Sequence, residues 1–515
     1  MEYSKKRNIA KKIIFYILIF LATLIFILIN YKTKTFGSIG IDELLFYLFN
    51  GLDGANTNTF LASVLNNIIP FSIIFAVFII PSINLFKNKT LLIINFRTKN
   101  KNHKFEINPT KIQQKYLIVY SFIIFFSSLI YGICVLDIYG YIVSKNSSSS
   151  FFENNYINPK DVKLQFPEKK RNLIYITVES MENTVLSNKN GGASTVSLSP
   201  ELEQIALDKN NVSFSNTNRL DRMLPIHGTG WTAGGMIAQS SGVPILNMSS
   251  FDGNELGNFK KFLPGVYSIG EILEKENYYQ QIMMGSDASF GGRDKYYSQH
   301  GNYKIFDYKT AKEQSKIPND YHVWWGFEDK KLFEYAKEEL STISESNQPF
   351  NLQLLTADTH FIDGYLNPSC KTESDNKYKN VYACSSKQIN DFIEWVKQQD
   401  FYENTTIIIS GDHLGMQTEF YEAIADINYQ RTIYNVIINP ANIPYKKTNR
   451  QFSSFDLYPT TLSSIGVSIE GDELGLGVNL FSDKETLIEK YGLDYINSEL
   501  QKRSDYYNKK ILTGK

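Results

Sequence analysis

The segment TTIIISGDH (residues 405–413) is the most informative stretch of this 515-residue chain. A short apolar run rich in β-branched residues and bounded by glycine predicts a buried strand of an α/β sheet. Such sheets place their chemistry just beyond the carboxyl ends of their strands. The carboxylate of Asp412 beside the imidazole of His413 is a ligand pair for a divalent metal. The alternative is a simple turn, in which Asp412 caps the next helix and His413 is solvated.

Two further apolar runs have the same form. NLIYITV (residues 172–178) is followed by Glu179, and FNLQLL (residues 350–355) is followed by Asp358 and His360. Strands that alternate with helices predict a doubly wound, mostly parallel sheet, whose polar strand ends meet at one edge. The helical patterns between the strands lie at Gly270–Glu276, Lys331–Leu340 and Ser386–Gln399.

A second carboxylate and a hydroxyl complete the candidate metal site. Glu179 follows an unbroken apolar run, where a charge is costly unless something offsets it, although a helix-capping role is the alternative. In GTGWTAGGMIA (residues 228–238), Thr232 opens a small-residue helix whose N–H groups would bind an anion. A hydroxyl beside a divalent cation loses its proton more readily and can act as a nucleophile. Thr229 is a competing nucleophile, and an ordinary N-cap is the alternative role for Thr232.

Two more polar residues are candidates for contacting a phosphate. His360 could hydrogen-bond a phosphoryl oxygen or pass a proton to a leaving alcohol, or it could be a solvated loop residue. Arg293, in SFGGRD (residues 289–294), could pair with substrate phosphate, because a guanidinium matches phosphate oxygens.

The apolar residues at the start of the chain predict a membrane domain. Three stretches, Lys12–Asn30, Leu61–Phe86 and Tyr116–Val143, approach the roughly 20 residues that cross a bilayer. Lysine and arginine at the amino terminus, and between the second and third stretches, place both segments in the cytoplasm. Everything after Val143 is then outside. The 53 basic and 53 acidic residues leave no net charge and give no reason to expect nucleic acid as a partner.

The sequence therefore predicts four parts: a membrane domain with about three transmembrane helices (1–143), a linker (144–170), an extracytoplasmic α/β domain (171–485) and a C-terminal helical tail (486–515). The linker is inferred from a run rich in Ser, Asn, Lys and Pro. Cys370 and Cys384 flank a polar, lysine-rich loop on the outer side. They form either a disulfide or two free thiols.

These motifs occur in a characteristic order. The motifs are VES (178–180), GTGWT (228–232) followed by SGVP (241–244), His360, GDH (411–413) and FDLYPT (455–460). Their order resembles that of the phosphoglycerol transferases of the lipoteichoic acid synthase type. These belong to the sulfatase and alkaline-phosphatase superfamily. The GTGWT form and GDELGLGVNL (471–480) look most like the phosphoglycerol transferase I branch, which decorates periplasmic glucans. The resemblance runs from about Asn172 to Ser482.

The resemblance implies a sulfatase-like domain and a single divalent metal, usually Mn²⁺ with Mg²⁺ or Zn²⁺ as alternatives. It implies phosphatidylglycerol as donor, a phospho-threonine intermediate, release of diacylglycerol, and a hydroxyl of an envelope glycan or polymer as acceptor. It places the protein in a bacterial inner membrane with its catalytic domain outside. Gly291 stands where the family has a tryptophan, two residues before the substrate arginine. In this sequence the implied metal ligands are Glu179, Thr232, Asp412 and His413, with Thr232 as nucleophile and His360 and Arg293 as substrate contacts.

Three rival interpretations fit the sequence less well. A sulfatase needs a Cys/Ser-x-Pro-x-Arg segment for conversion to formylglycine, and the sequence has none. Phosphoethanolamine transferases usually carry more membrane spans and several disulfides, whereas this chain has three cysteines. A membrane-anchored sensor with a degenerate site would not be expected to keep the whole set of Glu179, Thr232, Asp412 and His413.

Overall fold

A computed structural model describes residues 2–36, 41, 57–83, 90, 92–98, 101–107, 109–246, 261–346 and 348–515. The described residues fall into two compact units, one within the first 140 residues and one from Tyr141 to Lys515.

The first unit is mostly helical. Two of its helices, over Ile9–Lys34 and Lys115–Val135, are long and apolar enough to cross a membrane. The chain is therefore a membrane protein. The middle predicted span also lies in a helix, but its described apolar part, Asn66–Ser82, is shorter than a full span. The elements of this unit are α1 (Glu2–Phe36), α2 (Thr57–Ile79), β1 (Leu92–Thr98), β2 (Lys101–Ile107) and α3 (Pro109–Val135), with β1 and β2 forming an antiparallel hairpin.

The second unit is built around a six-stranded sheet in the order β6-β5-β7-β4-β8-β9. Only β9 runs antiparallel to its neighbour, so the predicted mostly parallel α/β fold is confirmed. The strands of this unit are β3 (Leu164–Gln165), β4 (Asn172–Val178), β5 (Tyr279–Met284), β6 (Lys304–Phe306), β7 (Phe350–Leu355), β8 (Thr405–Gly411), β9 (Asn435–Ile438), β10 (Ser468–Ile469), β11 (Glu473–Leu474) and β12 (Gly477–Val478).

Helices cover both faces of the sheet, which explains the unbroken apolar strand sequences. In β4, Ile174 and Ile176 pack into one core, while Leu173 and Tyr175 pack into the other. The helices after α3 are α4 (Ile138–Asn146), α5 (Phe151–Asn155), α6 (Pro200–Leu207), α7 (Thr232–Ser241), α8 (Ile269–Lys275), α9 (Arg293–Gln299), α10 (Tyr308–Glu313), α11 (Asp329–Ile343), α12 (Lys377–Lys397), α13 (Thr418–Glu422), α14 (Leu457–Ser464), α15 (Leu487–Tyr491) and α16 (Leu493–Gln501). Helices α6, α11 and α12 pack on the first face, and α8 and α14 on the second.

The central position of β4 decides where the site forms. Its neighbours are β7 on one side and β8 on the other, and all three run parallel. Val178 pairs with Gly411, and Thr177 pairs with Leu355, so the three strands end at nearly the same level. The residues that follow these strands therefore meet at one edge of the sheet.

The segment predicted as a linker is instead packed against the second unit. Phe151 and Phe152 are buried, and β3 pairs with β10. The predicted tail is packed as well, because Ile496 and Tyr507 are fully buried. Both segments are polar in composition but contain a few buried aromatic and aliphatic residues.

A disulfide between Cys370 and Cys384 ties the segment after β7 to α12. Its two cysteines are separated by 14 residues. A bridge that closes a loop of this size stabilises the folded state by about 3 kcal/mol, mainly by restricting the unfolded chain.

We therefore expect the double variant Cys370→Ser/Cys384→Ser to unfold several degrees below the wild type. Thermal unfolding of the detergent-purified full chain measures this difference. Cys134→Ser, which removes the free cysteine of the first unit, is the matched control. Equal unfolding temperatures for the double variant and the non-reduced wild type would contradict the expectation.

Candidate metal centre and active site

The ends of β4 and β8 bring Glu179, Asp412 and His413 together, with one ligand atom of each lying within 4.8 Å of the others. The Nε2 atom of His413 is 3.4 Å from Oε1 of Glu179 and 3.3 Å from Oδ2 of Asp412. All three side chains are buried. The strand-end carboxylates and the histidine predicted from sequence thus form one cluster.

Thr232 joins this cluster from the first turn of α7. Its hydroxyl donates to Oε2 of Glu179 at 3.1 Å and lies 3.5 Å from Nε2 of His413. The N-cap position is occupied by Trp231, so Thr232 does not have the ordinary capping role. The competing candidate Thr229 donates its hydroxyl to the carbonyl of Ile226 and does not line the cavity beside Glu179.

Small residues allow α7 to approach the end of β8 closely. A Cβ atom added to Gly235 would lie 2.2 Å from the carbonyl oxygen of Asp412. The absence of a side chain at Gly235 therefore makes room for the chain's own backbone. Ser180 adopts a left-handed φ of 55° and donates its N–H to Oδ1 of Asp412 at 2.8 Å. These contacts fix Thr232 and Asp412 relative to each other.

The orientation of the ligand atoms fits a divalent cation. The Nδ1 atom of His413 lies 2.7 Å from the carbonyl oxygen of Leu414, which assigns the proton to Nδ1 and turns Nε2 toward the carboxylates. Oδ2 of Asp412 is buried and has no hydrogen-bond partner. A buried carboxylate oxygen without a partner is costly, and a bound cation would satisfy it. Two carboxylates, an imidazole and a hydroxyl suit Mn²⁺, Mg²⁺ or Zn²⁺.

The ionisation of the cluster also favours a cation. Burial would raise the pKa of Glu179, but His360 and His413 hold it well below its usual range. Burial and the charge of Glu179 raise the pKa of Asp412 to about 7. Burial would lower the pKa of His413, yet Asp412 and Glu179 raise it to about 10. Without metal, protons thus persist on Asp412 and His413, and a divalent cation would replace them.

A small cavity opens beside Thr232. The predicted substrate residues His360 and Arg293 both line it, as do Phe290 and Trp325. Nδ1 of His360 lies 2.6 Å from the carbonyl oxygen of Phe361, which leaves Nε2 available for exchange of a proton. Burial lowers the pKa of His360.

Arg293 is held in place by its own loop. Its Nε donates to the carbonyl of Phe290 at 2.9 Å, and its Nη2 donates to the carbonyl of Asp287 at 2.8 Å. Nη2 also reaches the hydroxyl of Ser286 at 3.2 Å. The guanidinium is thereby fixed as a buried positive charge in the cavity wall.

Sequence reasoning missed two residues of the site. Ser180 stands in the VES motif, but the sequence does not reveal its role, because that role depends on its backbone angle. Trp325 has a weak signal, since two of the four tryptophans in the chain stand together in Trp324-Trp325-Gly326. Asp456 of the FDLYPT motif lies outside the cluster and accepts the N–H groups of Ser453 and Val478.

A mostly parallel sheet with a metal-binding cluster and a helix-borne threonine at its strand ends is an alkaline-phosphatase-like arrangement. The chain belongs to the Sulfatase family, whose model matches residues 171–467. Phosphoglycerol transferase I of Escherichia coli (strain SMS-3-5 / SECEC) is 32% identical over 263 residues, which are 50% of this chain and 32% of that relative. The predicted resemblance to phosphoglycerol transferases is thereby confirmed, and the matched region spans only about a third of the relative.

Two solved structures are among those similar to this chain. The lipoteichoic acid synthase LtaP from Listeria monocytogenes has 18% identity and a TM-score of 0.48, covering 62% of this chain and 79% of that chain. The Streptococcus pyogenes phosphoglycerol transferase GacH, in complex with sn-glycerol-1-phosphate, has 17% identity and a TM-score of 0.43, covering 67% of this chain and 94% of that chain.

Proposed function

We propose that the protein transfers a glycerophosphate group from phosphatidylglycerol to a hydroxyl of an envelope glycan or polymer, and that a phospho-threonine forms on Thr232. The observation that carries the proposal is the hydrogen bond from the Thr232 hydroxyl to Glu179, within the cluster of Glu179, Asp412 and His413. The similarity to phosphoglycerol transferase I supports the choice of transferred group.

The first half of the reaction forms the covalent intermediate. Oγ1 of Thr232 attacks phosphorus as its proton passes toward Oε2 of Glu179, the atom that already accepts it. The bond from phosphorus to the diacylglycerol oxygen breaks, and the leaving oxygen takes a proton from Nε2 of His360. A cation held by Glu179, Thr232, Asp412 and His413, which we propose to be Mn²⁺, would lower the pKa of the threonine hydroxyl and screen the phosphate charge.

The second half reverses the proton movement. His360, now neutral, takes the proton of the acceptor hydroxyl at Nε2. The acceptor oxygen then attacks phosphorus, the bond from phosphorus to Oγ1 of Thr232 breaks, and Oγ1 takes back the proton held by Oε2 of Glu179. A histidine whose pKa is lowered by burial suits the neutral role, while the substrate phosphate favours the protonated form needed at the start. Arg293 supplies a fixed positive charge in the same cavity.

We also propose that the helices of the first unit anchor the protein in a bacterial inner membrane and that the second unit lies outside the cytoplasm. The donor would then be a lipid of the outer leaflet. Positive charges at the amino terminus and in the segment before α3 support this orientation.

The test is a donor assay with the detergent-purified full chain, Mn²⁺ and phosphatidylglycerol labelled in its head-group glycerol. We expect release of diacylglycerol and, without acceptor, about one equivalent of label retained on the protein. Phosphatidylethanolamine labelled in its head group is the control donor and should release little diacylglycerol. Release of phosphatidic acid, which would place the cleavage on the other side of phosphorus, would overturn the proposal.

A further inference from the structure

Trp325 lines the cavity that contains Thr232, although no step of the proposed mechanism uses it. Its ring centroid is 4.5 Å from that of His360 and 5.4 Å from that of Phe290. The indole is therefore held between a substrate-facing histidine and a second aromatic wall of the same cavity.

The indole nitrogen of Trp325 is buried and has no hydrogen-bond partner. Buried indole N–H groups normally find an acceptor, because an unpaired donor away from water is costly. The neighbouring Trp324 shows the usual outcome, since its Nε1 donates to the carbonyl of Ala357 at 3.0 Å. One tryptophan of the pair anchors the loop after β7, and the other, a lining residue of the cavity, has a buried indole N–H without a partner.

The polar chemistry on this side of the cavity favours a ligand that accepts hydrogen bonds. Arg293, another lining residue, offers only donors and a positive charge. An ammonium group has no acceptor, so it would leave the indole N–H unpaired and would also be repelled by the guanidinium. A hydroxyl accepts a hydrogen bond and carries no charge.

We propose that Trp325 is a specificity-determining residue whose indole N–H donates to a hydroxyl of the glycerol group that is being transferred. This inference rests on the proposed function and adds to it the feature that selects a polyol head group over an amine. The aromatic ring contributes to the shape of the cavity, and the N–H recognises the hydroxyl by donating a hydrogen bond to it.

The experiment compares two donors with wild type and Trp325→Phe. Phosphatidylpropanol has the three-carbon head of phosphatidylglycerol without its free hydroxyls. A change in ring shape should alter kcat/KM for both donors. Loss of the N–H should alter kcat/KM only for phosphatidylglycerol, the donor whose head group carries free hydroxyls. We expect Trp325→Phe to lower the phosphatidylglycerol-to-phosphatidylpropanol ratio of kcat/KM, measured by diacylglycerol release, by about 10- to 100-fold.

Trp324→Phe is the matched control. It removes the hydrogen bond to Ala357, and it should alter both donors alike and leave the ratio within about twofold of wild type. Because the ratio is independent of the folded fraction, partial misfolding of either variant does not affect it. An unchanged ratio in Trp325→Phe would overturn the inference. A wild type that releases no diacylglycerol from phosphatidylglycerol would overturn the proposed function itself.

Discussion

Thr232→Ala is expected to lower diacylglycerol release from phosphatidylglycerol by about 10³-fold or more, and to leave no head-group label on the protein. The variant loses the attacking oxygen, whereas the cluster of Glu179, Asp412 and His413 keeps its ligand atoms. The measurement is the donor assay with head-group-labelled lipid. Diacylglycerol release and label retained on the protein are measured in the same reaction.

The control variant is Thr229→Ala. Thr229 is buried in the same motif, but its hydroxyl donates to the carbonyl of Ile226. Its removal should cost about 1 kcal/mol of stability and leave the transfer rate close to that of wild type. Peptide mass spectrometry of the labelled wild type should place the label on Thr232. Label on Thr229, or normal release by Thr232→Ala, would refute the assigned nucleophile.

Much of the sheet could be predicted from sequence because its central strands are buried on both faces. β4 and β8 appear as largely apolar runs, β7 interleaves Asn351 and Gln353 with apolar residues, and the polar residues after all three mark the strand ends. Parallel strands bring such ends to one edge whatever the length of chain between them. The proximity of Glu179 to Asp412 therefore follows from topology alone.

Other features depend on contacts that a single sequence does not reveal. The position of α7 is set by Gly235 against the carbonyl of Asp412, a contact between distant segments. The unpaired donor of Trp325 becomes visible only when its surroundings are known. The supposed linker looked polar, yet it contains Phe151 and Phe152, which are buried. Composition describes the average of a segment, while packing depends on a few residues.

The final prediction concerns the cation itself and uses Asp412→Asn. This change keeps the size of the side chain and an oxygen for the N–H groups of Ser180 and His413, but it removes the charge at Oδ2. Two carboxylates would offset a divalent cation, whereas Glu179 alone would leave an excess positive charge in a buried site. We therefore expect activity to fall about 10³-fold.

Stability gives an independent measurement of the same loss. At a Mn²⁺ concentration of about 100 Kd, the wild type should gain about 2.7 kcal/mol, seen as a higher unfolding temperature that EDTA reverses. Asp412→Asn should show no such gain.

Asp456→Asn is the matched control for the metal response. Asp456 is also buried, burial raises its pKa to about 7, and it also accepts backbone N–H groups. It differs from Asp412 in lying outside the ligand cluster. Its substitution should change stability by the same amount with and without Mn²⁺. The Mn²⁺-induced rise in unfolding temperature should therefore match that of wild type. A full Mn²⁺-induced shift in Asp412→Asn would show that Asp412 is not a ligand, because removing its charge would then have left cation binding unchanged.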